Sequence, residues 1–450
     1  MALFICYTTL IQKLYKAHTP QVSPLTPIPY LDLPSFEHSL VAERARERVE
    51  PGAMLELELD ILISANGVTC RDSRVIRKSN LWRDFFPGQL DRQLLGSAVG
   101  ERVEADFTPG TLTDYQEGER FTAPRGAFRS RKLVRRDLEP RLGRFYPRGF
   151  LAGQRGIFSE DRRPLRVTGM PADRLEIDSR HPLAGVPVRL GISVLGTWGA
   201  GEEHGGICND IAMLATGEGP GMQLPLPVGA SDFWYPEALG RLDNRDDEVF
   251  YERTRLVHHL DSHCRAQIEA LYGRLVPAGG RVLDLMSSWV SHLDRIAPAS
   301  QVTGLGMNRE ELDANPRLVE RLIYDLNQNP TLPFAKGSFD AVVCTASFEY
   351  LTQPRQIVAE IARVLKPGGI CIITFSDRWF PTKAVQVWTE VHPFERQGYV
   401  LASLMSDERL DDFNPYSRRG LPRPEDDARA GELELSEPLC AVWARRRREH

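Results

Sequence analysis

The chain has 450 residues, 42% hydrophobic and 26% charged, with a formal net charge of -5. That length exceeds what one ordinary core holds, so a multidomain protein is expected, and the composition is globular rather than disordered. The balance of charge gives no general pull towards nucleic acid or anionic membrane, and no apolar run approaches the ~18 residues of a membrane span.

The opening "MALFICYTTLIQKLYK" has a short apolar patch without a basic start or a small-residue cleavage site, which argues against a secretory leader. Seven scattered cysteines without CxxC spacing fit a reducing, cytoplasmic setting rather than a disulfide framework. Residues 1–50, with "AHTPQVSPLTPIPYLDLP", read as a flexible lead-in. Residues 51–196 then form a β-rich α+β unit. "AMLELELDILIS" alternates as a half-buried strand, and Asn66-Gly67 supplies a turn. "LDRQLLGSAVGERV" is a short helix pattern, followed by strands at "VEADFTP", "PLRVTGM", "RLEIDS" and "VPVRLGISVLGTW". Between Arg120 and Arg148 the chain turns basic, with only Asp137 and Glu139 in opposition.

The residues of this half resemble FKBP-type peptidyl-prolyl isomerases of the SlyD kind. "HPLAG" before the last strand and "LLGSAVGERV" carry the likeness, and about residues 116–177 fit the flap domain inserted in that kind. The resemblance implies a cleft that takes proline-containing peptide or protein segments and desolvates the twisted amide, whose rotation barrier is ~18–20 kcal/mol. It implies Asp72 as the acid of that cleft, Phe85 and Phe86 before Pro-Gly, Leu90 as its floor, Tyr115 from the flap and Leu190 from the last strand. "FFPGQLD" departs from the family's turn by one extra residue.

Glycine, proline and acidic residues crowd positions 197–250, which read as a linker. "YERTRLVHHLDSHCRAQIEALYGRLV" follows as a long helix pattern, with His259 and His263 at helical spacing. His258, Cys264, His204 and Cys208 lie nearby, but no clean fourth ligand completes a metal site. Over residues 251–412 short buried strands ("RVLDLM", "QVTGLGM", "FDAVVCT", "GICIITF") alternate with helical segments, predicting an α/β, Rossmann-like unit with a mostly parallel sheet. Residues 413–450 read as a tail ending in a basic run.

"VLDLMSSWVSHL", "VTGLGMN", "DLNQNPTLPFAKGSFDAVVCT" and "EIARVLKPGG" before "ICIITF" together resemble class I S-adenosylmethionine-dependent methyltransferases of the type 11 kind. The resemblance implies S-adenosylmethionine as cofactor. Asp284 would orient its polar atoms, Met286, Ser287 and Ser288 would meet its methionine end, and Asp325 with Leu326 would hold the adenine edge. Gly306 and Met307 close the second strand where the family has a ribose-gripping acid. Asn308 is the expected substitute, with Glu310 and Glu311 in reserve. Ser347, Glu349 and Tyr350 would face the reacting centre, with Glu349 or His292 as a base and Arg378, Trp379 and Lys383 on the substrate side. The methyl acceptor is left unnamed. A reading from another class is a chaperone-like binding protein whose carboxyl half is an inert α/β scaffold.

Overall fold

The computed structural model describes residues 47–113, 119–130, 137–199, 207–227 and 229–448. Strands β1 (Met54–Ala65) and β2 (Val68–Asn80) form a hairpin closed by Asn66 and Gly67, both with left-handed backbone (φ 54° and 76°), the turn whose twist matches paired strands. Helix α1 (Leu90–Leu94) is shorter than its sequence pattern, because Gly96 breaks it with φ 81°. Strand β3 (Arg102–Phe107) follows. β4 (Arg120–Pro124), β5 (Phe145–Pro147), β6 (Pro164–Gly169) and β7 (Arg174–Asp178) make a separate antiparallel sheet over a core of Phe150, Leu165, Val167 and Ile177. Its arginines face distant acids: Arg120 pairs with Asp178 at 3.0 Å and buried Arg144 with Glu395 at 3.0 Å. β8 (Val188–Trp198) returns to the main sheet between β1 and β3.

The expected linker is packed instead of free where it is described. Helix α2 (Ile211–Thr216) lies against β1, and Leu224, Phe233, Tyr235 and Ala238 are buried in the main core. Of the long helix expected from Tyr251 onwards, only the second half forms. α3 (Asp247–Tyr251) ends early, and α4 (Ser262–Leu275) starts only where the Asp261 carboxylate accepts from the Cys264 N–H. Residues 252–261 between them form an irregular strap. His259 therefore lies outside α4 against Phe380, whereas His263 bonds the Pro422 carbonyl. Among the described residues no cluster could hold a metal ion.

The remaining elements alternate. They are β9 (Arg281–Leu285), β10 (Gln301–Gly306), α5 (Arg309–Ala314), β11 (Glu320–Ile323), β12 (Phe339–Thr345), α6 (Pro354–Val364), β13 (Leu365–Phe375), α7 (Gln386–Glu390), α8 (Pro393–Leu404), β14 (Leu410–Arg419) and β15 (Leu439–Arg446). The main sheet has 11 strands in the order β11-β10-β9-β12-β13-β15-β14-β2-β1-β8-β3. β11 to β13 are parallel, as their continuous apolar runs predict, and β15 enters antiparallel between β13 and β14.

Two expectations are corrected here. The supposed tail of residues 413–450 supplies buried strand β15 and most of β14. The two halves also do not carry independent main sheets, because β14 pairs in parallel with β2 and joins them. Pairing removes an exposed edge from each half, and buried charge fixes the joint: Arg418 meets Glu58 at 2.7 Å and Arg419 meets Asp72 at 3.0 Å. Among the described residues no helix is long and apolar enough to cross a membrane.

Candidate active site

In a parallel sheet the loops at the carboxyl ends of the strands diverge where strand order reverses, and a crevice opens there. Here the order reverses at β9, with β10 on one side and β12 on the other. A pocket lies at that place. Asp284, Met286, Ser287 and Ser288 line it from the turn after β9, and Gly306, Met307 and Asn308 from the end of β10. Asp325, Leu326 and Ser347 complete that side, so these ten expected residues share one cavity, with Tyr350 beside them. The strap closes the other side with Arg255, His258 and His259, and Arg265 of α4 joins them.

The turn after β9 is not followed by a helix. Met286 and His292 take left-handed backbone (φ 58° and 55°), which interrupts any helical run, and residues 286–300 cross to β10 without helix. Buried Asp284 organises this crossing. Its Oδ2 accepts from the Ser287 hydroxyl at 2.5 Å and the Ser291 hydroxyl at 2.6 Å, while Oδ1 takes neither bond. Burial pushes its carboxyl up to about 7, outweighing the two serine donors. The serines therefore serve Asp284 and, through a 2.6 Å bond from Ser288, Glu311.

Gly306 stands where an acid was expected, and the packing explains why. A Cβ there would lie 2.1 Å from the Ser287 carbonyl oxygen, so the crossing itself occupies the space of a side chain. Asn308 is committed as well. Its Oδ1 caps α5 by accepting from the Glu311 N–H at 3.0 Å, and its Nδ2 donates to the Tyr251 and Glu252 carbonyls at 2.9 and 3.1 Å. Glu311 accepts from the Arg255 N–H at 2.8 Å, and Glu310 from the Thr254 hydroxyl at 2.7 Å. The residues expected to hold a ribose instead hold the strap. Asp325 is half free: Oδ1 accepts from the Asn327 and Gln328 N–H groups at 2.8 and 3.2 Å, and Oδ2 has no hydrogen bond among the described residues.

The two candidate bases separate. His292 lines the pocket, and its buried Nδ1 has no partner. Burial, then Arg265 and His258, push the imidazole down to about 4, so it is neutral near pH 7 and, for the same reason, a weak base. Glu349 does not line the pocket. It is buried beside it, with both carboxyl oxygens unpartnered, and burial pushes it up to about 7. Arg378, Trp379 and Lys383 also stay out of the lining. Arg378 pairs with Glu437 at 3.6 Å, Trp379 lies under Arg396 at 4.0 Å, and fully buried Lys383 pairs with Asp247 at 3.0 Å. Sequence reasoning missed Trp289, Phe380 and Arg265, which do line it. No motif marks them, because they arrive from the crossing, from beyond β13 and from α4.

In the amino half only two of the expected cleft residues, Asp72 and Leu190, are placed on one face by strand register. Asp72, Ile61 and Leu190 are register partners across β2, β1 and β8. Leu90 and Leu190 are fully buried in the core. Asp72 is buried and accepts from Ser417 at 2.6 Å as well as pairing with Arg419, so the acid expected in a cleft is spent on the joint between the halves. Phe85 is 67% exposed, and Phe86 packs on the core from a partly buried position. The Phe85 backbone donates to the Asn209 carbonyl at 2.8 Å and accepts from the Ile211 N–H at 3.0 Å, which ties residues 209–211 to the Phe85 loop, while the adjoining α2 lies against β1. Tyr115 lies outside the described residues.

Residues 286–373 match a family model described as a methyltransferase domain. The match begins at the turn after β9 and ends within β13. Methyltransferase GfsG of Streptomyces halstedii is 32% identical over 114 residues, which is 22% of this chain and 40% of that protein. The ubiquinone/menaquinone biosynthesis C-methyltransferase UbiE of Desulfotalea psychrophila is 34% identical over 104 residues, 21% of this chain and 41% of that protein. The chain thus spans about two fifths of the length of these relatives. A possible histamine N-methyltransferase structure from Thermotoga maritima is 18% identical over 44% of this chain and 98% of its own, with a TM-score of 0.32, too low to bear on the fold.

The methyltransferase match implies S-adenosylmethionine as the cofactor, and the pocket's chemistry fits such a ligand. Sulfonium and amino groups are cationic, and the lining offers the carboxylates of Asp284, Glu311 and Asp325. The ligand's apolar and planar parts have Met286, Leu326, Trp289 and Phe380 to pack on.

Proposed function

We propose that the carboxyl half is an S-adenosylmethionine-dependent methyltransferase. The single observation that carries this reading is the convergence of Asp284, Asp325 and the turn after β9 on one pocket at the reversal of strand order, the turn and Asp325 lying within the segment that matches a methyltransferase domain and Asp284 just before it. When bound, the cofactor supplies an electrophilic methyl group. The chain's own part is alignment and proton handling. Asp284 Oδ1 would take the amino group, Asp325 Oδ2 the adenine edge with Leu326 beside it, and neutral His292 Nδ1 would accept the proton released by the acceptor. Ser347 and Tyr350 would border the acceptor, whose identity is open. Ultraviolet labelling with methyl-tritiated S-adenosylmethionine and peptide mapping tests the placement. Label in residues 284–292 or 324–328 is expected, and label elsewhere or nowhere rejects it.

A second reading concerns the amino half. The row Asp72, Ile61 and Leu190 on one face, with a four-stranded insert between β3 and β8, favours a SlyD-like unit that binds proline-containing segments. With α2 against β1 and Asp72 in an ion pair, binding without rapid isomerisation is the form of it we propose. Proline-peptide titration of the full chain by NMR is expected to shift resonances near Phe85 and Phe86 while leaving the tetrapeptide isomerisation rate unchanged. A rate increase overturns the second clause, and absent shifts overturn the first.

A further inference from the structure

A ligand bringing a carboxylate into this pocket finds the serines of the turn after β9 and the strap arginine already engaged. The Ser287 N–H donates to the Leu305 carbonyl at 2.8 Å and its hydroxyl to Asp284 at 2.5 Å, while the Ser288 hydroxyl donates to Glu311 at 2.6 Å. The Arg255 guanidinium donates to the Arg253 and Phe250 carbonyls at 3.1 and 3.0 Å. Arg265, in the first turn of α4, is different. It lines the pocket, its Nε is buried, and its guanidinium makes no hydrogen bond or ion pair with any described residue.

A desolvated guanidinium N–H without an acceptor is unfavourable, and its planar fork matches a carboxylate through two parallel bonds. We propose that Arg265 binds the carboxylate at the amino-acid end of S-adenosylmethionine, replacing the backbone donors of the missing glycine-rich turn. This rests on the methyltransferase reading. Its location agrees: after burial, Arg265 is the next cause that holds both His258 and His292 below the usual imidazole range, so it stands near the strap and the turn after β9 together. Asp284 then remains for the amino group of the same end.

The test uses two ligands that differ only in this carboxylate. The full chain and its Arg265→Gln and Arg265→Lys variants are titrated calorimetrically with S-adenosylmethionine and with decarboxylated S-adenosylmethionine, after matched denaturant midpoints establish folding. The unaltered chain is expected to prefer the carboxylated ligand by about tenfold or more, the worth of one charge-assisted pair. Arg265→Gln should bring the two affinities together by weakening the carboxylated ligand alone, and Arg265→Lys should fall between. Equal weakening of both ligands, or an undiminished preference in Arg265→Gln, overturns the assignment. If the unaltered chain binds neither ligand, the methyltransferase reading itself falls and takes the assignment with it.

Discussion

Replacing Gly306 with aspartate would restore the acid that methyltransferase-like sequences carry at the end of the second strand, and the structure predicts that the change damages the protein. The new Cβ would stand 2.1 Å from the Ser287 carbonyl oxygen and 3.2 Å from Leu312 Cδ2. The oxygen cannot move alone. Ser287 is held by its N–H bond to Leu305 at 2.8 Å and its hydroxyl bond to Asp284 at 2.5 Å, and the adjacent Ser288 carbonyl accepts from Asn315 at 2.7 Å. Overpacking costs about 1–3 kcal/mol and each hydrogen bond broken adds about 1 kcal/mol, so a loss of about 2–4 kcal/mol is expected. Gly306→Ala carries the same Cβ without the charge and should show most of that loss. Denaturant unfolding gives the stabilities, and S-adenosylmethionine titration gives the affinity, expected to fall at least about tenfold in both variants. A Gly306→Asp protein with an unchanged midpoint and tighter cofactor binding would refute the packing argument.

Asp284, pushed up to about 7, must be ionised to meet a cationic amine, so cofactor affinity should weaken as pH falls below about 7, by up to tenfold per unit, and flatten above it; Asp284→Asn should remove the slope. Glu349 rises from an ordinary 4.5 to about 7, so its contribution to stability is present below about 4.5 and is lost as pH rises through about 7. Glu349→Gln should therefore be more stable than the native chain at pH 8, by about 1 kcal/mol or more, with the gap closing near pH 5 in denaturant titrations. Asp72→Ala removes one of the two carboxylates on Arg419, leaving Glu218, and the acceptor of the Ser417 hydroxyl, so it should cost about 1–3 kcal/mol; unchanged stability with altered proline isomerisation would instead make Asp72 a cleft acid.

The sheet and pocket were legible in the sequence to different depths. Short apolar runs such as Val282–Leu285 and Ala341–Cys344 reveal parallel strands because burial on both faces leaves no alternation. The pocket residues followed from their positions at the ends of those strands. Local pattern could not reveal the partner of β2, since nothing in Arg71–Arg74 announces pairing with Tyr416–Arg419 more than three hundred residues away. The same blindness made β15 look like a tail and α2 look like linker. The alternation of strands with helical segments also suggested helix after Leu285, where φ values of 58° and 55° at Met286 and His292 and the Asp284–serine bonds impose an irregular crossing. Asn308 was read by its distance from the strand end, but an N-cap that also holds the strap has no free amide.

Calorimetric titration of the 450-residue chain with S-adenosylmethionine, with Asp284→Ala alongside, tests the central claim most directly. One saturable site per chain, competed by S-adenosylhomocysteine and abolished in Asp284→Ala, is the predicted result. Absence of saturable binding at millimolar ligand, or equal affinity in Asp284→Ala, would contradict it.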